Sequence, residues 1–126
     1  MDFFVNWLSS TPIFAAPLII AALGLIINER AGVLNLGVEG IMLCGALACV
    51  AGYFVAESNI FLALLAATIA GVLVSFLFAV LVVVLRTNQV VTGITLVFLG
   101  YGLTGLIGTS WTDKPMRGIQ PFELPL

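Results

Sequence analysis

Asn28-Glu29-Arg30-Ala31-Gly32-Val33-Leu34-Asn35-Leu36-Gly37-Val38-Glu39-Gly40-Ile41-Met42-Leu43 lies between two long apolar runs. It opens on three polar residues, carries glycines at 32, 37 and 40, and places the carboxylate of Glu39 where apolar sequence has already resumed. A helix starting near Gly32 would put Asn35 and Glu39 on one face, with Glu39 roughly 13 Å along the axis from Arg30. An acid at that depth costs about 2.5–3.5 kcal/mol on insertion scales, so residues of this kind face a cavity or a partner. Glycines beside it predict a broken helix, the device by which transporters aim backbone groups at a central pathway. The plain alternative is that Glu39 caps a span beginning at Ile41, favoured there by the helix dipole. The two roles are compatible. Glu29 and Arg30 read as a solvated turn.

The rest of the chain says which solvent surrounds this stretch. Of the 126 residues 62% are hydrophobic and 8% charged, against about 45–50% and about 25% in soluble domains. Between Gly32 and Leu85 the only charged residues are Glu39 and Glu57. A bilayer core about 30 Å thick takes roughly 20 residues per helix, so the chain has room for a few spans and no sizeable soluble domain. Six acidic and four basic residues leave a net charge of −2, with no histidine, which sets aside a nucleic-acid surface built from clustered Lys and Arg. Cys44 and Cys49 stand in apolar sequence and read as small packing residues, and no metal set is present. Asp2 occupies the place of a signal peptide's basic region, so the first apolar run is expected to stay as a span.

Charge, Asn, Gly and Pro divide residues 1–110 into four expected spans, 11–27, 38–55, 60–85 and 90–107, with 111–126 as a loop or truncated tail. Helices are required, since lone strands would leave backbone groups unpaired in lipid and four strands cannot close a barrel. The fold class is therefore an all-α membrane protein of about four transmembrane helices, the second with a glycine-broken lead-in, forming the N-terminal part of a larger bundle. Arg30 and Arg86 share one side, and Phe3, Phe4, Trp7, Tyr53, Phe54, Phe61 and Trp111 gather at the other. Positive-inside bias and aromatic belts then place the N-terminus outside; Lys114 and Arg117 fall outside too, beside Asp113 and Glu123.

Small residues recur at four-residue spacing: Ala63, Ala67, Gly71, Ser75 and Ala79 in the third span, Gly100, Thr104 and Gly108 in the fourth, Gly45, Cys49 and Gly52 in the second. Such stripes let membrane helices approach closely, and three of them predict a bundle with further helical partners. Gly100-Tyr101-Gly102-Leu103-Thr104-Gly105 fits a dinucleotide fingerprint by letters, but the strand and crossover that motif needs cannot exist inside a span. There is no phosphate-binding Gly-x-x-x-x-Gly-Lys loop and no nucleophile–base pair, so no catalytic residue and no bound cofactor are expected, and the chain does not read as an enzyme.

Residues 28–43 resemble the signature of the membrane subunits of ABC importers for nucleosides and simple sugars, within the wider family of ribose and branched-chain amino acid permeases. Leu85-Arg86-Thr87-Asn88-Gln89-Val90-Val91-Thr92-Gly93 is similar to that family's inner loop and the start of its next helix. The resemblance implies a permease subunit in the plasma membrane, with Asn35, Gly37, Glu39 and Gly40 along the solute path and Thr92 and Thr95 as further lining. It implies as partners an ATPase subunit that consumes the ATP, a second permease subunit and a solute-binding protein. Nucleosides are the first expected solute, on the wording of residues 35–40, followed by sugars and then branched-chain amino acids. Family members are much longer, and the later cytoplasmic helix that docks on the ATPase finds no counterpart after Trp111. Two other classes stay open on the residues alone: an autonomous four-helix transporter, against which Glu39 lies in the second rather than the first span, and a non-transporting membrane subunit for which Glu39 is only a cap.

Overall fold

The computed structural model describes residues 2–115. It contains four long helices: α1 (Asp2–Arg30), α2 (Val38–Val55), α3 (Ile60–Ala79) and α4 (Gln89–Ile107). A wide, five-residue-repeat turn, Val80–Val84, extends α3, and a tight three-residue-repeat turn, Gly108–Trp111, extends α4. All four are long and apolar enough to cross a membrane. Of the expected tail, Arg117, Pro121, Glu123 and Pro125 lie outside the described residues.

Side-chain chemistry fixes where the helices begin and end. Asn59 Oδ1 accepts from the backbone N–H groups of Phe61 and Leu62 at 3.0 and 3.4 Å. Asn88 Oδ1 does the same for Val90 and Val91 at 3.0 and 3.2 Å, so α3 and α4 each open on an asparagine cap that satisfies donors otherwise orphaned at a membrane surface. At the far end of α3 the Leu85 N–H reaches back to Val80 O at 3.0 Å, and the Thr87 hydroxyl donates to Leu81 O at 2.8 Å. Arg86 then turns the chain at φ 51°. In α1 the helix starts well before the expected residue 11. Ser9, Ser10 and Thr11 donate their hydroxyls to carbonyls three or four residues back, at 2.8–3.0 Å, and this absorbs the polar run that the sequence marks as a break.

Packing is uneven. α2 is the hub, antiparallel to α3 and parallel to α4. Gly45 and Gly52 meet α3 near Ala67 and Ala66 respectively, while Gly37 and Gly40 meet α4 near Gly93 and Leu96. A small core of Phe78, Val82 and Leu96, joined by Val74 and by Val33 of the α1–α2 connection, closes the end at which α4 starts. At the opposite end Tyr53 and Phe54 meet edge to face with centroids 5.5 Å apart, and Lys114 Nζ lies 5.5 Å over the Phe54 ring. α1 buries none of its apolar window against the other helices. A cleft of about 1040 Å³ separates it from α2 and α3.

The α1–α2 connection is not helical from Gly32. Gly32 turns the chain at φ 79°, residues 33–35 form no regular element, and α2 starts at Val38. Asn35 and Glu39 therefore do not share a helical face. Two hydrogen bonds hold this connection: Gly37 N–H donates to Asn35 Oδ1 at 2.9 Å, and Leu34 N–H donates to Gln89 Oε1 at 2.6 Å. Gln89 Nε2 also donates to Gly32 O at 3.4 Å. Non-helical backbone at this depth is viable because protein supplies its partners.

Candidate functional site

The break in the chain lies inside the bundle. Gly37 sits against Gly93, which is roughly 6 Å beyond the start of α4 at 1.5 Å per residue. α2 thus begins below the end of its parallel neighbour, and its first turn, bearing Glu39, lies within the thickness that α4 spans.

What brings α2 so close to α4 is the absence of side chains. A Cβ on Gly40 would stand 2.2 Å from Leu96 O and 2.9 Å from Val97 Cα, and one on Gly100 would stand 2.8 Å from Gly40 Cα. Gly93 is as tight, its Cβ falling 2.9 Å from Gly37 N. Gly37 and Gly40, expected along the solute path, are thus packed against α4 backbone and buried. Gly93, absent from the expected packing set, belongs to this crossing. Its neighbours in sequence give no four-residue repeat of small residues that would have marked it.

Glu39 and Tyr101 flank the two touching glycines, and the Tyr101 phenol donates a hydrogen bond to Glu39 Oε1. Glu39 is also among the residues lining a cleft of about 590 Å³ whose α1 wall is Leu18, Ala21, Ala22 and Leu25. Asn35 lines the larger cleft together with Asn28 and Ser75. Its Oδ1 is committed to Gly37. Thr92 is buried, its hydroxyl donating to Asn88 O at 2.8 Å and lying 2.9 Å from Thr87 Oγ1. Thr95 is exposed and donates to Val91 O at 2.8 Å. The six residues expected along the path therefore divide. Asn35 and Glu39 open onto the clefts beside α1, Gly37 and Gly40 form the crossing, and the two threonine hydroxyls serve their own helix.

The stripes divide as well. Ala63 is buried at the Gly52 contact, whereas Ala67, Ser75 and Ala79 line the large cleft and a Cβ on Gly71 would meet only Ile41 Cγ2, at 4.0 Å. On α4, Gly100 meets Gly40, a Cβ on Gly108 would stand 3.8 Å from Leu47 Cδ1, and Thr104 donates to Gly100 O at 2.7 Å. Cys49 is half-buried and Cys44 buried, both as free thiols. Among the described residues no group of three or more side chains is arranged to hold a metal.

Comparison with known proteins bears on this arrangement. A family model described as branched-chain amino acid transport system, permease component, matches residues 7–123. Over 129 aligned residues the chain is 39% identical to TsgC13 of Haloferax volcanii, provisionally named a glucose ABC transporter permease protein, with 100% of this chain and 38% of that protein covered. It is 38% identical to the guanosine ABC transporter permease protein of Bacillus subtilis, covering 92% of this chain and 40% of that one. A nucleoside ABC transporter permease protein of Lactococcus lactis is 38% identical over 67% of this chain and 28% of its own. The chain thus spans about two-fifths or less of the relatives it matches. No solved structure matches it at a significant level.

Proposed function

Because the chain belongs to the family of branched-chain amino acid transport system permease components, we propose that it forms part of the solute path of an ABC importer for nucleosides or simple sugars. The observation that carries this is the broken start of α2, where Glu39 and Asn35 border the clefts beside α1. Two polar side chains at a helix break, held there by bonds to Tyr101 and Gly37, are costly in lipid and useful beside a water-accessible passage. The relatives, named as glucose, guanosine and nucleoside permeases, support uncharged, hydroxyl-rich solutes.

In this reading the chain performs no chemistry. A solute-binding protein delivers solute on the outer side, and an ATPase subunit uses ATP to close on a pair of permease subunits. The helices tilt so that the path opens alternately to each side. This segment supplies a wall in the plasma membrane, with its N-terminus outside and Arg30 and Arg86 inside. Glu39 and the Asn35 amide offer hydrogen bonds to passing hydroxyl or amide groups, and Thr92 and Thr95 stand on the neighbouring helix.

The test is uptake of labelled guanosine and D-glucose by the full-length permease assembled with its ATPase and binding protein. Glu39→Gln is expected to insert at the wild-type level and to lose most of the uptake. Unchanged uptake by this variant would reduce Glu39 to a helix cap and remove the reading.

A further inference from the structure

Among the described residues the Glu39 carboxylate accepts from Tyr101, which lies 62 residues away on another helix. Among the described residues the basic side chains stand at the ends of the bundle: Arg30 in the last turn of α1, Arg86 after the wide turn of α3, and Lys114 over Phe54. In the cleft that Glu39 helps to line, the α1 wall is apolar. The phenol of Tyr101 is therefore the group that holds the carboxylate. It is held rigidly, since Glu39 adjoins Gly40 and Tyr101 adjoins Gly100, and those two glycines touch backbone to backbone. Both side chains are exposed on the surface of the α2–α4 pair, Tyr101 by 52%. A bond serving only to glue α2 to α4 would lie in their buried seam, as the glycines do.

We propose that Tyr101 is a positioning residue that determines solute specificity: by donating to Glu39 Oε1 it aims the carboxylate so that Oε2 accepts from a hydroxyl of a neutral solute. This rests on the reading of Glu39 as a path residue. An ionised carboxylate accepts through both oxygens and donates through neither, and a bond from a neutral donor to a charged acceptor is among the stronger ones. With one oxygen occupied, the other favours solutes that carry O–H donors. It disfavours analogues that lack them, because the acceptor is then left unpaired, and it repels anionic, phosphorylated analogues.

The experiment measures initial uptake rates by the complete transporter for guanosine, D-glucose, and a deoxy analogue of each, normalised to permease in the membrane. Tyr101→Phe keeps the ring and removes the donor. The expected result is about a tenfold rise in half-saturating concentration for whichever parent solute is carried, with maximal rate within about twofold of wild type. Preference for the parent over its deoxy analogue should shrink with it. Glu39→Gln/Tyr101→Phe is expected to transport no worse than Glu39→Gln, since the phenol acts through the carboxylate. An unchanged half-saturation and preference in Tyr101→Phe, with uptake lost in Glu39→Gln, overturns the role of Tyr101 and leaves the path reading standing. Loss in Tyr101→Phe only in proportion to membrane level, or losses that multiply in the double variant, likewise overturns it. Wild-type uptake by Glu39→Gln, or no uptake of either parent solute by the wild-type transporter, overturns the path reading beneath it.

Discussion

Gly40→Ala adds one methyl group where α2 crosses α4. The new Cβ would fall 2.2 Å from Leu96 O, 2.6 Å from Leu96 C and 2.9 Å from Val97 Cα. All three are backbone atoms that no rotamer change can move. Restoring ordinary contact requires the helices to part by about 1 Å, and a gap of that size forfeits a quarter to a half of each dispersion contact along the seam. Overpacking of a tight interface costs about 1–3 kcal/mol. Replacing Gly by Ala inside a helix returns at most about 1 kcal/mol, and a 2.2 Å approach to backbone puts the overpacking at the top of its range, so the net is destabilising by about 2 kcal/mol. The shift would also pull Glu39 from Tyr101. In a thermal-ramp size-exclusion assay on detergent-purified permease, Gly40→Ala should melt several degrees below wild type. Gly102→Ala and Gly105→Ala on α4 supply the control: a Cβ there meets nothing within 4 Å, and each variant should melt at or slightly above the wild-type temperature. Equal melting of Gly40→Ala and wild type, or equal damage from Gly102→Ala, would refute the claim that contact at the crossing sets this stability.

Gly52→Ala brings its Cβ to 2.8 Å from Ala66 Cβ, so it should lower the melting temperature, and Ala66→Gly in the same chain should restore most of the loss; failure of that rescue would show that the two methyls do not collide. Asn59→Ala and Asn88→Ala each remove a cap accepting two backbone N–H groups and should cost about 1 kcal/mol apiece, additively in the double variant, as read from the same melting assay. Gln89→Ala deletes the acceptor for Leu34 N–H. Hydrogen exchange of Leu34 should then quicken by about tenfold or more, with the α3 amides unchanged.

Much of this architecture is legible from local chemistry. A run of apolar residues long enough to cross hydrocarbon has to satisfy its backbone internally, so four runs mean four helices whatever surrounds them. Asn59 and Asn88 mark helix starts because their oxygens reach backbone donors two and three residues on, an interaction confined to one turn. Hydropathy does not set the start of α1: Ser9, Ser10, Thr11 and Pro12 read as a break, yet hydroxyls bonding back along the helix carry it to Asp2.

The pairing of distant residues is the part that local pattern leaves open. A four-residue spacing shows that one side of a helix is narrow, not which neighbour it faces. Ala63 meets α2 while Ser75 and Ala79, on the same stripe, border the cleft toward α1. Gly93 and Tyr101 carry no periodic signal at all, and they matter because α2 begins alongside the interior of α4 and runs parallel to it. Solvation along one segment, summed residue by residue, suffices to say that these helices form and lie in lipid. Contacts across 55 and 62 residues, Gln89 to Leu34 and Tyr101 to Glu39, depend on the register and approach of two backbones, which come into being when the helices pack.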